Sequence, residues 1–211
     1  MWCKTVTSLT SDSMYKNGES SKSNELKTHD SNNLPTSENK MEQVVLVDEQ
    51  DKEIGLMEKQ AAHVTPHLHR AFSIFIFNSK GELLMQQRAL SKYHSPGLWT
   101  NTCCSHPRNG ETTLQAASRR LTEEMGLQCE LREVYTFIYK APVGQGLTEH
   151  EFDHVIFGHC DDAPTINADE VASWKYMNLN DLKNDISAHP EHYTAWFKIT
   201  FDEMTHHARL L

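Results

Sequence analysis

At 211 residues, with 38% hydrophobic and 23% charged side chains, the chain can bury one core without disulfide staples. A formal net charge of −9 argues against a nucleic-acid surface, which needs a basic stripe; small phosphorylated ligands stay open because a few local cations suffice for them. No run approaches the roughly 20 apolar residues of a membrane span, and five cysteines with no paired framework and no signal-like segment point to a reducing compartment, read as cytoplasmic.

Residues 1–41 are crowded with Ser, Thr, Asn and Lys and have almost no periodic apolar pattern. Burial there could not offset ordering entropy, so a disordered tail is expected, with residues 42–211 as the folded domain. The tail's acids (Asp12, Glu19, Glu25, Asp30, Glu38) speak against a transit peptide, although organellar targeting stays open. Gln43 to Asp48 reads as a strand, Ile54 to Lys59 as its short partner, and Ala71 to Phe77 as a strand apolar on both faces. N-S-K-G-E at Asn78 to Glu82 predicts a hairpin turn that returns Leu83 to Arg88 antiparallel.

The spacing of Leu114, Ala117, Leu121 and Met125 predicts a helix over Thr112 to Met125, ended by Gly126. Glu130 to Tyr139, Glu149 to His159 and Ala172 to Met177 read as strands. Asn180 opens one helix and Pro190 to Glu203 forms another, with Tyr193, Trp196, Phe197, Thr200 and Phe201 along one stripe. Strands in the middle and helices around them predict an α+β sandwich.

Chemistry concentrates in W-T-N-T-C-C-S-H-P-R-N-G-E, Trp99 to Glu111. Extended backbone alternates its side chains, so Cys104 and His106 share a face and Cys103 points away. From the residues alone Cys104 is a proton donor near a metal-bound histidine, a metal ligand, or a small buried residue. On the following helix, i,i+4 spacing sets Arg119 beside Glu123 and Arg120 beside Glu124.

The string from Ser105 through Glu111, Arg119, Arg120, Glu123, Glu124 and Gly126 resembles the Nudix box, G-x5-E-x7-R-E-U-x-E-E-x-G-U, where U is a bulky aliphatic. Ser105 stands where that box has its first Gly, and Arg120 where it has a metal-binding Glu. Replacing a hard oxygen ligand by a fixed cation disfavours diphosphate hydrolysis and leaves diphosphate binding intact. Together with L-H-R-A-F at Leu68, Q-R-A-L-S-K at Gln87 and E-H-E at Glu149, the segment T-N-T-C-C-S-H-P resembles the type 1 isopentenyl-diphosphate isomerases.

That resemblance implies a Nudix-like α/β/α sandwich with a mixed sheet and flanking helices. It implies the reversible allylic shift between isopentenyl and dimethylallyl diphosphate through a tertiary carbocation, with a small prenyl diphosphate as the only partner class and a monomer or weak dimer as the state. Carried over by motif, His63, His69, His106, Glu149 and Glu151 surround one divalent ion (Zn²⁺, Mn²⁺, Fe²⁺ or Mg²⁺), and mixed imidazole and carboxylate donors suit such ions better than Ca²⁺. Cys104 and Glu151 take the two opposed proton-transfer positions, and Tyr139 and Trp196 face the cation. Lys59, Arg88, Lys92 and Arg120 contact the diphosphate, with Glu124 the ligand of a Mg²⁺ that arrives with it. A Nudix hydrolase of another diphosphate and a non-catalytic metal-binding module are the competing readings.

Overall fold

The computed structural model describes residues 42–210, so the expected disorder of the tail lies outside the described residues. Nine strands form one mixed sheet: β1 (Gln43–Val47), β2 (Glu53–Glu58), β3 (His69–Phe77), β4 (Leu83–Arg88), β5 (Trp99–Thr100), β6 (Cys103–Ser105), β7 (Leu131–Gly144), β8 (Leu147–His159) and β9 (Val171–Met177). The helices are α1 (Lys59–Val64), α2 (Thr113–Met125), α3 (Leu179–Ala188) and α4 (Ala195–Ala208). This is the α+β architecture the pattern predicts, with helices on both faces of the sheet.

β3 organises the sheet. One edge runs parallel to β8 over nine paired positions, from His69 opposite Glu151 to Phe77 opposite His159. Its other edge is shared in succession by β1 at Leu46, by β6 from Phe72 to Ile74, and by β4 at Phe77 alone. The expected β3–β4 hairpin is therefore corrected: the turn forms, but β4 splays away after one pair and takes β9 as its main partner. Thr102 fills the gap by accepting from the Ile76 amide (2.9 Å) and donating to the Leu84 carbonyl (2.6 Å), so these buried backbone groups are not left unpaired.

Alternation along β3 builds two cores. Phe72, Ile74 and Ile76 pack beneath α2 with Ala116, Ala117, Leu121 and Met125. Phe75 and Phe77 pack under α4 against Phe197 and Phe201, and the same face carries His69, Ala71 and Ser73 at its polar end. α2 starts with a capping box, Thr112 exchanging side-chain and backbone bonds with Gln115, and stops at Gly126 in the left-handed region (φ 66°). Leu114, expected on its buried stripe, is 40% exposed.

The C-terminal helix is also corrected. Pro190–His192 is a 3-10 turn, Tyr193 is extended, and α4 starts only at Ala195. The break arises because Tyr193 bridges to Trp99 and the Thr194 amide donates to the Trp99 carbonyl (3.0 Å), a tie that a continuous helix could not make. The stripe from Tyr193 to Phe201 is buried as expected. Among the described residues no helix is long and apolar enough to cross a membrane.

Candidate active site

Strand register lays out the polar end of the β3 face. His69 on β3 lies opposite Glu151 on β8, which in turn lies opposite Tyr139 on β7, giving one row across three strands; Glu149 is the next residue on that face. β6 adds Cys104, opposite Ser73, and the chain just beyond it delivers His106. Cys103 points into the α2 core and is fully buried, as alternation predicts, while Cys104 lines the cleft. His63 arrives from α1, a helix the sequence pattern did not reveal because Lys59 was read as the end of β2. Glu58 caps α1, accepting from the amides of Gln60 and Ala61.

His63, His69, His106 and Glu151 offer ligand atoms within 4.8 Å of one another. The Nδ1 atoms of His63 and His69 donate to the carbonyls of Lys59 (2.6 Å) and His67 (2.8 Å). A carbonyl can only accept, so the proton is fixed on Nδ1 and each Nε2 presents a lone pair; both Nε2 atoms are buried with no hydrogen-bond partner. Burial lowers the His63 pKa and pushes His106 down to about 4, which keeps these rings in the neutral, coordinating form near pH 7. The two orphaned imidazoles of His63 and His69, with His106 and Glu151 closing the group, fit a divalent ion. His67, of the same parity as His69, is exposed and stands outside this cluster.

Glu149 and Glu151 are both buried, and the Tyr139 hydroxyl lies 2.6 Å from a carboxylate oxygen of each. One phenolic hydroxyl is thus shared between two carboxylates, whose pKa values are pushed apart. Burial beside ionised Glu151 drives the Glu149 pKa well up, while the bond from His106 (3.0 Å) and the neighbouring His69 ring (3.6 Å) outweigh burial and hold Glu151 well down. The Cys104 thiol is pushed up by burial, aided by Glu124, Glu149 and Glu151 and opposed by Arg88, so it keeps its proton at neutral pH.

The expected cations line the same cleft. Arg88 is buried and pinned by the carbonyls of His94 (3.1 Å) and Ser95 (3.2 Å), with its guanidinium 5.3 Å from the centre of the Trp196 ring. The Trp196 indole N–H donates to Asn101 (3.3 Å), whose amide nitrogen donates to the carbonyls of Ile74 and Cys103. Asn101 thus ties the helix that carries the indole to the strand that carries the thiol. Lys59 pairs with Glu42 (3.2 Å), Lys92 with Glu170, and Arg120 with Glu123, Glu124 and Glu170; Gln86 holds the other oxygen of Glu124. Arg119 points elsewhere, clasping Glu111 through two 2.7 Å bonds that brace the start of α2.

Four cleft residues escaped the sequence reading: Glu170, Gln86, Tyr93 and His94. Glu170 and Gln86 carry no local signal, since each acts on a partner far along the chain. Tyr93 and His94 follow Lys92 in a short loop, and an aromatic pair beside a candidate phosphate ligand was the available cue.

Comparison with known proteins bears on the fold and the family. The NUDIX domain model matches residues 67–197. An isopentenyl-diphosphate Delta-isomerase of Pectobacterium atrosepticum is 57% identical over 159 residues, covering 75% of this chain and 89% of that protein. Another, from Aromatoleum aromaticum, is 50% identical over 163 residues, covering 77% and 86%. Among solved structures, DR0079 from Deinococcus radiodurans superposes with a TM-score of 0.59 at 24% identity, over 70% of this chain and 90% of that one, a likeness of fold alone. The chain belongs to the NUDIX domain family and, within it, to the isopentenyl-diphosphate Delta-isomerases.

Proposed function

We propose that this protein interconverts isopentenyl and dimethylallyl diphosphate by moving one double bond. The observation that carries the reading is a half-buried thiol, Cys104, and a buried carboxylate, Glu151, lining one cleft whose rim holds Lys59, Arg88, Lys92 and Arg120. A proton added to the terminal methylene carbon leaves a tertiary carbocation at the branch carbon. Loss of a proton from the chain methylene bonded to that branch carbon, on the side toward the diphosphate, then sets the new double bond. Because the reaction is reversible, Cys104 and Glu151 each donate in one direction and accept in the other.

The other residues follow from that chemistry. Trp196 and Tyr139 present apolar ring surface to the cation, and burial of the site keeps water from trapping it. Tyr139 also holds Glu149 and Glu151 in register through its hydroxyl. The four cations grip the diphosphate, which competes for them with Glu42, Glu123 and Glu170. His63, His69, His106 and Glu151, with Glu149 reaching the group through His63, form the donor set for one divalent ion, Zn²⁺, Mn²⁺ or Mg²⁺, and Glu124 is the ligand of a Mg²⁺ bound with the diphosphate. A divalent ion there supplies positive charge that fixes the paired carboxylates. Arg120 in the place of a Nudix glutamate favours gripping the diphosphate over activating water against it.

The test is incubation with isopentenyl diphosphate and Mg²⁺ in deuterated water. Dimethylallyl diphosphate carrying solvent deuterium is expected; unchanged substrate with folded, metal-loaded protein, or release of phosphate, refutes the proposal.

A further inference from the structure

A second group of metal-type donors adjoins the first. His63, His94 and Glu149, all buried, offer ligand atoms within 4.8 Å of one another, and His63 is common to both groups. Glu149 belongs with His94 here, its Oε1 lying 3.5 Å from the His94 Nε2, and it stands outside the group formed by His69, His106 and Glu151. The backbone of His94 is fixed as well, because its carbonyl accepts from Arg88 (3.1 Å).

His94 is 5% exposed, and its Nδ1, like the Nε2 of His63, has no hydrogen-bond partner. A buried polar atom left unpaired is destabilising, so two of them side by side need a reason. Packing supplies none: an apolar ring would fill the space against Tyr93 (centroids 4.5 Å) and Trp196 (5.9 Å) without that cost. His63 can give its Nε2 to one ion only, since its Nδ1 is committed to the Lys59 carbonyl, so the two groups cannot each hold an ion through it. They meet at that one nitrogen, which can serve a single ion between them.

We propose that His94 is a fourth imidazole ligand of the divalent site, joined to it through His63 and Glu149; this rests on the metal reading above and extends it. A further imidazole shifts the site's preference toward ions that favour nitrogen donors, Zn²⁺ and Co²⁺ over Mg²⁺.

The experiment uses the full chain with Zn²⁺ and Co²⁺ as probes. His94→Ala and His94→Gln are expected to lose Zn²⁺ affinity tenfold or more by chelator competition and to change the visible spectrum of the Co²⁺-loaded protein. Since a residue that merely orients Glu149 could also lower affinity, ligation is read separately in the native protein. Long-range proton–nitrogen spectra of the Zn²⁺ form are expected to show four histidine rings with a metal-shifted nitrogen. Three such rings, or an unaltered Co²⁺ spectrum in folded His94 variants, overturns the proposal whatever the affinity. His106→Ala separates the two readings. Zn²⁺ affinity unchanged in His106→Ala refutes the underlying donor set, whereas loss there with His94 variants like the native protein refutes the role of His94 alone.

Discussion

Replacing Tyr139 by Phe isolates its hydroxyl from its ring. The ring stays buried and stacked on Phe137 (centroids 5.5 Å), so the core is retained. What disappears is an O–H lying 2.6 Å from both Glu149 and Glu151. A hydrogen bond to a charged group contributes about 1.5–3 kcal/mol. If the hydroxyl sets the carboxylates for proton transfer, that energy is lost from the transition state, and kcat/KM for deuterium incorporation falls by roughly 10- to 150-fold. Circular dichroism and a thermal melt check that the fold survives. Activity within twofold of the native protein would show that the hydroxyl does nothing the ring does not, and would refute the reasoning.

Cys103→Ala is expected to keep near-native activity and lose about 1 kcal/mol of stability, the burial of one small group, whereas Cys104→Ala loses most activity with a smaller change in melting temperature; equal losses of activity at both would undo the alternation argument. Glu111→Gln tests the brace on α2. The bonds from Arg119 hold the Glu111 carboxylate down to about 2, so its stabilisation is complete above the ordinary value near 4.5 and disappears as pH falls toward 2. The melting temperature of the variant should therefore lie below the native one at pH 7 and converge with it in acid; a gap that persists at pH 2 contradicts the assignment. Gly126→Ala puts a Cβ 2.6 Å from the Thr165 carbonyl oxygen at a left-handed φ of 66°. A loss of at least about 1–2 kcal/mol is expected, read by denaturant unfolding, and an unchanged midpoint argues against the strain.

The motifs were legible because their logic is local. A period of two separated Cys103 from Cys104, and helical spacing with a terminal glycine located α2 and its charged pairs. His63 and His69 could be named only by resemblance, since neither a loop histidine nor a strand histidine identifies itself. The splayed β4 and the broken C-terminal helix gave no such sign, and the place of His94 gave only its position beside Lys92. Each depends on a partner elsewhere: Thr102 wedged between β3 and β4, Trp99 pairing with Tyr193, and Glu149 facing His94.

By itself the sequence determined the chemistry available: a thiol and an imidazole on one face, two glutamates on another strand's face, and an arginine where a Nudix hydrolase has a carboxylate. Only the tertiary structure decided that these meet. The β3–β8–β7 register sets His69, Glu151 and Tyr139 in one row, and α4 lowers Trp196 over the same cleft. Alternation within a strand is fixed by backbone stereochemistry, so it can be read locally. Register between strands distant in the chain is fixed by which pairing satisfies every buried backbone group and fills both cores at once, a condition on the whole domain.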